Sequence, residues 1–221
     1  MRKTKFAPGE YYHIYNRGNN KQDIFLDTRD WVRFLFITLY FQSSITMHNI
    51  SQSVTHYIKH SVFNVTQETT EEIITKQFVG LVAFSLMPNH FHILIQEIKT
   101  SGLSQYMQRI QNSYTKYFNT KYKKTGHLLQ GPFQAVHIKS NNQLLHLSAY
   151  IHRNAREIPY WKGKEGGFPW SSYQDYIMTN RWSKLLENKV IMDQFINPND
   201  YKKFTDKSST KILKKEYLFE E

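Results

Sequence analysis

The sequence predicts an α+β fold: an antiparallel sheet with helices packed on it, of the ferredoxin-like or RRM-like kind. Its segments run strand, helix, strand, strand, helix, strand, helix, which is not the strict alternation of a parallel α/β sheet. Two apolar runs separated only by Met87-Pro88-Asn89 form a strand–turn–strand unit, because Pro and Asn between apolar runs mark a turn. Long segments elsewhere carry apolar residues at helical spacing.

The first strand spans Tyr11 to Tyr15 and ends at Asn16-Arg17-Gly18-Asn19-Asn20. Asp27 or Thr28 caps a helix through Trp31, Phe34, Leu35, Thr38, Leu39 and Phe41. Residues 43–75 are polar, rich in Ser and Thr and weakly periodic, and read as a partly helical segment. The strand pair around Met87-Pro88-Asn89 follows. Ser101-Gly102-Leu103-Ser104 opens a second helix with Leu103, Met107, Ile110, Tyr114, Tyr117 and Phe118 on its apolar stripe, closed by the charges of Lys121, Lys123 and Lys124. Leu128 to Ile138 is a further strand candidate, interrupted at Gly131-Pro132. Asn141 or Asn142 caps a third helix through Leu144, Leu147, Ile151 and Asn154. Beyond Ile158 the chain turns irregular, with a loop from Gly163 to Gly167. A helix over Arg181 to Phe195, a short one near Tyr201 and a mobile charged end over Lys207 to Glu221 complete the expectation. Residues 1–178 form one domain and 179–221 a helical tail.

Composition narrows the function. The chain has 221 residues, 40% hydrophobic and 21% charged, enough for one good core and too apolar for global disorder. A formal charge of +11 favours a polyanionic partner. With 15 Tyr, 15 Phe and 4 Trp there are also faces on which unpaired bases stack. The absence of cysteine excludes disulfides, thiolate zinc sites and cysteine nucleophiles, and suits a reducing cytoplasm. No run has the length of a membrane span, the first residues carry no apolar signal core, and no Gly-rich nucleotide-binding loop is present.

His90-Phe91-His92 carries the chemistry. Residues two apart on a strand face the same way, so the two imidazoles stand side by side at a strand start, a half-site for a divalent ion. The surrounding Leu86-Met87-Pro88-Asn89-His90-Phe91-His92-Ile93-Leu94 resembles the HUH signature (His, hydrophobic, His) of the one-tyrosine, IS200-like transposases, most of all the REP-associated tyrosine transposases. Further motifs carry the likeness in order: Tyr12-His13-Ile14-Tyr15-Asn16-Arg17-Gly18, Gly126-His127-Leu128-Leu129-Gln130-Gly131-Pro132-Phe133, Tyr150-Ile151-His152-Arg153-Asn154 and Trp170-Ser171-Ser172-Tyr173. It runs from about Gly9 to about Tyr176.

The resemblance implies the HUH endonuclease fold and a single-strand DNA endonuclease and strand-transferase. Such an enzyme acts on hairpin-bearing DNA ends through a 5′-phosphotyrosine, in the cytoplasm of a bacterium. It places the nucleophile on the late helix at Tyr150 and completes the site of His90 and His92 with Asn154. Tyr150 and Asn154 are four residues apart, on one helical face. Tyr114 competes as nucleophile, but its spacing puts it on the apolar stripe. Two imidazoles and an amide suit weakly held Mg²⁺ or Mn²⁺. His13 lies on a strand that can neighbour the histidine strand and support it. His146 is a surface residue or a proton-transfer aid, and His152 is not a ligand. Arg17, Lys21, Lys116, Lys121, Lys123, Lys124, Arg153 and Arg156 are candidate phosphate contacts. Gln130 and Phe133 can shape the DNA site. Leu129 and Pro132 depart from the family's usual Trp and Arg there, so the DNA sequence does not transfer. The family implies a homodimer, which is favoured over a monomer here, although residues 43–75, an insertion relative to the family pattern, and the tail after Tyr176 can block that interface. The competing readings are a non-catalytic nucleic-acid-binding module with an RRM-like sheet, and a rolling-circle initiator or relaxase, whose extra ligands are not found.

Overall fold

The computed structural model describes residues 4–46 and 49–208. Its centre is a four-stranded antiparallel sheet in the order β2-β3-β1-β4, with β1 Tyr11–Arg17, β2 Val79–Met87, β3 His90–Glu97 and β4 Gln134–Ile138. The helices are α1 Thr28–Tyr40, α2 Ile50–His60, α3 Gln67–Thr75, α4 Gly102–Tyr122, α5 Asn141–Arg153, α6 Tyr173–Ile177, α7 Lys189–Met192 and α8 Pro198–Lys207. The expected α+β fold is what forms. Of the charged end over Lys207 to Glu221, all but the first two residues lie outside the described residues.

Register fixes which side chains share a face. Tyr15 pairs with His92 and Arg17 with His90, and on β2 Ser85 pairs with His92 and Met87 with His90. Cross-strand partners point to the same side. One face therefore carries His13, Tyr15, Arg17, His90 and His92, and α5 covers it. The opposite face carries Ile14, Phe91, Ile93 and Phe84 under α1 and α4. There Phe34 packs on Phe91 and Tyr114, and the Tyr106 hydroxyl donates to Thr38 O at 2.7 Å. With helices on both sides, every residue of β2 is buried, so the strand reads as an unbroken apolar run rather than an alternating one.

Asp27 caps α1, and Asp30 returns the bond in a capping box. Asp30 is wholly buried, yet it accepts from Lys121 Nζ at 2.7 Å, Tyr122 Oη at 2.6 Å, Tyr117 Oη at 2.8 Å and Leu26 N at 2.9 Å. Residues 43–75 hold two helices. Tyr57 and Phe63 pack edge-on against Phe36, so the segment extends the core.

Three local expectations are corrected. Between Leu128 and Ile138 only β4 is strand, because Gly131 turns at φ +65° before Pro132; Leu129 keeps an isolated bridge to Gly18. The cap of α5 is Ser140, whose hydroxyl accepts from Gln143 N, not Asn141 or Asn142. No single helix spans Arg181 to Phe195. Ser183 to Leu185 is a 3₁₀ turn and α7 is four residues long. Asn180 donates to Ser183 O and Leu186 O and accepts from Trp182 N, while Trp182 Nε1 and Arg181 bind the Asp175 carboxylate. These side-chain bonds compete with a helix and win.

The short helix near Tyr201 forms as α8. It is tied to α5 by a chain of bonds: His152 Nδ1 to Tyr201 Oη at 2.6 Å, His152 Nε2 to Ser172 Oγ at 2.8 Å, and Tyr201 Oη to Ser148 Oγ at 3.0 Å. Ser148 spends its proton on Leu145 O. Tyr201 must then donate to Ser148 and accept from His152 Nδ1–H. The edge of β2 is closed by Leu86 N donating to Trp170 O, Ser172 N to Phe84 O and Glu187 N to Leu81 O.

Candidate active site

His90 and His92 sit at the start of β3, and each imidazole is already held through Nδ1. His90 Nδ1 lies 2.7 Å from Asn89 Oδ1, and Asn89 Nδ2 donates to Lys21 O at 3.2 Å. An amide oxygen only accepts, so His90 carries its proton on Nδ1 and leaves the Nε2 lone pair available. His92 Nδ1 lies 2.9 Å from His13 Nε2, both groups buried. The ring of Tyr150 stands edge-on to His92 at 5.5 Å and to His13 at 6.2 Å between centroids. One turn on, where α5 ends, Asn154 donates to Tyr150 O at 3.0 Å, while its buried Oδ1 has no well-formed hydrogen bond and its side chain lies near enough to His90 to oppose the fall of that imidazole's pKa. The bond to Tyr150 O is an ordinary capping role for an amide side chain at a helix end. The unpaired oxygen is not explained by it.

The electrostatics favour neutral imidazoles. Burial, reinforced by the Arg17 charge and opposed by Asn154, lowers His90 to about 4. Burial, then His13, His90 and Arg17, hold His92 well below the ordinary histidine value. Burial lowers His13 to about 3. Neutral imidazole is the ligating form, so two ring nitrogens and an orphaned amide oxygen fit a hard or borderline divalent ion. Among the described residues no three His, Asp or Glu side chains converge as a metal-holding group, which leaves the Asn154 amide as the candidate third donor. The open side of the site is the end of β1 and start of β3, where Arg17 is exposed and His90 half-buried.

The structure thus brings together Tyr150, His90, His92 and Asn154. Tyr114 is elsewhere: it is buried under α1 with its hydroxyl on Ile24 O at 2.5 Å, and burial pushes its phenol far up. His152 is spent on Tyr201 and Ser172, and His146 packs on Phe204.

The basic candidates divide. Arg17 and Lys21 are exposed at the histidine end of β1. Lys116, Lys123 and Lys124 are exposed on or just after α4, the helix on the far side of the sheet. Lys121 is engaged by Asp27 and Asp30, and Arg156 by Glu165 at 3.0 Å. Arg153 is half-buried, and its Nε and Nη1 have no hydrogen-bond partner among the described residues. Gln130 is exposed, whereas Phe133 is buried and stacked on Phe6, which removes it as an open face for bases. Sequence reasoning gave no site role to Asn89, which orients the neighbouring His90, or to Tyr15, whose ring lies 5.9 Å from His92 and which the strand register brings there.

Residues 54–154 match the family model of the IS200-like transposases. A solved structure of a REP-associated tyrosine transposase bound to a REP hairpin is similar to 80% of this chain and 84% of that chain, with a TM-score of 0.50 and 13% sequence identity. At that identity the likeness speaks for the fold, which is the expected one. No curated protein matches the chain. The family match covers less than half of the chain.

Proposed function

We propose that this chain, with its IS200-like segment 54–154, is a metal-dependent single-strand DNA endonuclease and strand-transferase acting on hairpin-bearing DNA ends. One observation carries the reading: α5 lays Tyr150 and the unpaired Asn154 Oδ1 over the His90–His92 pair. His90, His92 and Asn154 would hold Mg²⁺ or Mn²⁺, which polarises a phosphoryl oxygen when bound. The Tyr150 oxygen gives up its proton and attacks the scissile phosphorus. The bond from phosphorus to the 3′ oxygen breaks, that oxygen takes up a proton, and the 5′ phosphate stays on Tyr150. One ester replaces another, so the step reverses readily and needs no nucleotide. Arg17, beside His90 and exposed, contacts the DNA backbone. A hairpin is the substrate class because the structural neighbour is bound to one. The site acts in the cytoplasm, where a chain without cysteine loses nothing to reduction. Each chain serves its own site, because α8 pins α5 over the same sheet that carries the histidines.

The test is incubation of the full chain with single-stranded hairpin oligonucleotides and Mn²⁺, followed by denaturing electrophoresis. A covalent protein–DNA adduct is expected, absent with EDTA and absent in Tyr150→Phe, while Tyr150→Phe still binds the hairpin. Tyr114→Phe keeps the adduct. Hairpin binding by the wild-type chain with no adduct under any divalent ion would make it a binding module instead.

A further inference from the structure

We propose that His13 is a positioning residue for the candidate metal site: it accepts the Nδ1–H of His92 and so turns the Nε2 lone pair of His92 toward the cation. The inference rests on the metal reading given above. In the register His13 pairs with Leu94 and Tyr15 with His92, which places His13 diagonally across from His92 on the same face. Their rings lie 5.1 Å apart and within 22° of parallel, with His13 Nε2 and His92 Nδ1 at 2.9 Å. Both residues are buried, and at 2.9 Å one proton lies between the two nitrogens.

Two arrangements satisfy that contact. If His13 donates, the proton of His92 sits on Nε2, and His92 cannot ligate. If His92 donates, its Nε2 is a free lone pair, and the proton of His13 sits on Nδ1. His13 Nδ1 has no hydrogen-bond partner among the described residues. The ligating arrangement therefore leaves a buried N–H unsatisfied, the less tolerated kind of orphan. A cation on His92 selects this arrangement and compensates for the orphan. Metal-bound histidines usually give their second N–H to a carboxylate, a carbonyl or water. Here the acceptor is a neutral imidazole, which adds no negative charge and keeps the ion weakly held.

The experiment measures Mn²⁺ affinity of the full chain from the free-ion electron paramagnetic resonance signal, beside thermal melts that check folding. His13→Phe fills the space but cannot accept a hydrogen bond, and is expected to weaken Mn²⁺ binding by about 10- to 100-fold. His13→Gln, whose Oε1 can accept from His92 Nδ1–H, is expected to restore most of that loss. Long-range ¹H–¹⁵N spectra of the wild-type chain with Mg²⁺ should show His92 protonated on Nδ1. Unchanged affinity in folded His13→Phe overturns the proposal, as does His92 protonated on Nε2 with Mg²⁺ present. A folded His13→Gln as weak as His13→Phe would reduce His13 to packing. Should His13→Phe not fold, His13→Gln and the wild-type spectra decide alone. Wild-type Mn²⁺ affinity in His92→Ala would instead sink the metal reading, a result that no His13 outcome mimics.

Discussion

Asn154 divides its amide between two tasks: the nitrogen ties off the Tyr150 carbonyl and the oxygen is left for the site. Asn154→Ala removes both, and adduct formation should fall at least ~10-fold, with Mn²⁺ affinity falling alongside. Asn154→Asp keeps an oxygen but sets it against the Tyr150 carbonyl oxygen. It should keep Mn²⁺ binding while lowering the melting temperature. Asp30 tests a different kind of residue. Burial alone would raise its carboxyl, but bonds from Lys121, Tyr122, Leu26 N and Tyr117 outweigh burial and hold it below 3.8. A carboxyl held low in the folded chain contributes stability that is full above the unfolded value and disappears as pH falls through the folded one. Asp30→Asn should cost about 3 kcal/mol at neutral pH, modest for a buried pair because Lys121 keeps some solvent. Denaturant unfolding should show that difference closing at acid pH. A variant as stable as wild type at pH 7 would mean that the cluster is only tolerated.

At the scale of elements, α5 is the part on which the proposed chemistry depends, and both its ends are readable in physical terms. Ser140→Ala should cost about 1 kcal/mol of stability and leave the adduct yield per folded molecule unchanged. Tyr201→Phe removes the acceptor of His152 Nδ1–H and the donor to Ser148. It should cost about 1–3 kcal/mol and speed hydrogen exchange of the α5 amides. The strands and the long helices were visible in the sequence because periodicity and the Pro-Asn turn report them directly. The histidine pair was visible because two-residue spacing on a strand is a local property. The cap was misplaced by one or two residues because Ser and Asn cap equally well, and only backbone geometry separates neighbours. The helix expected over Arg181 to Phe195 failed because Asn180, Arg181 and Trp182 make their bonds to Asp175 and to local carbonyls, partners that periodicity does not see. The contact between His13 and His92 depends on the register of strands nearly eighty residues apart in the chain, as the sequence separation of 79 shows.

For the whole molecule, charge is distributed on both sides of the sheet. Arg17 and Lys21 lie at the histidine end of β1, whereas Lys116, Lys123 and Lys124 lie on the α4 side of the sheet. Hairpin binding should weaken steeply with salt. Each of Lys116→Ala, Lys123→Ala and Lys124→Ala that touches DNA should lower the salt slope by about 1, with cleavage at saturation unchanged. Arg17→Ala should lower cleavage at saturation as well. Because α5 is bonded to α8 over its own sheet, specific activity should not vary with dilution, and light scattering should give a monomer. Activity that rises with protein concentration would show that sites are completed between chains.

The closed border of β2 has a consequence for production of the protein in cells. Leu81, Phe84 and Leu86 bond to the segments around Trp170, Ser172 and Glu187, which come from the last quarter of the chain. A ribosome therefore releases the strand long before its cover exists, and a chain stopped near Ile177 never covers the Leu81 end. Such a fragment presents open backbone on a largely apolar strand, the template for stacking against its own copies. It should accumulate in inclusion bodies where the full chain stays in the supernatant. Supplying the missing segment as a separate peptide during refolding should recover part of it.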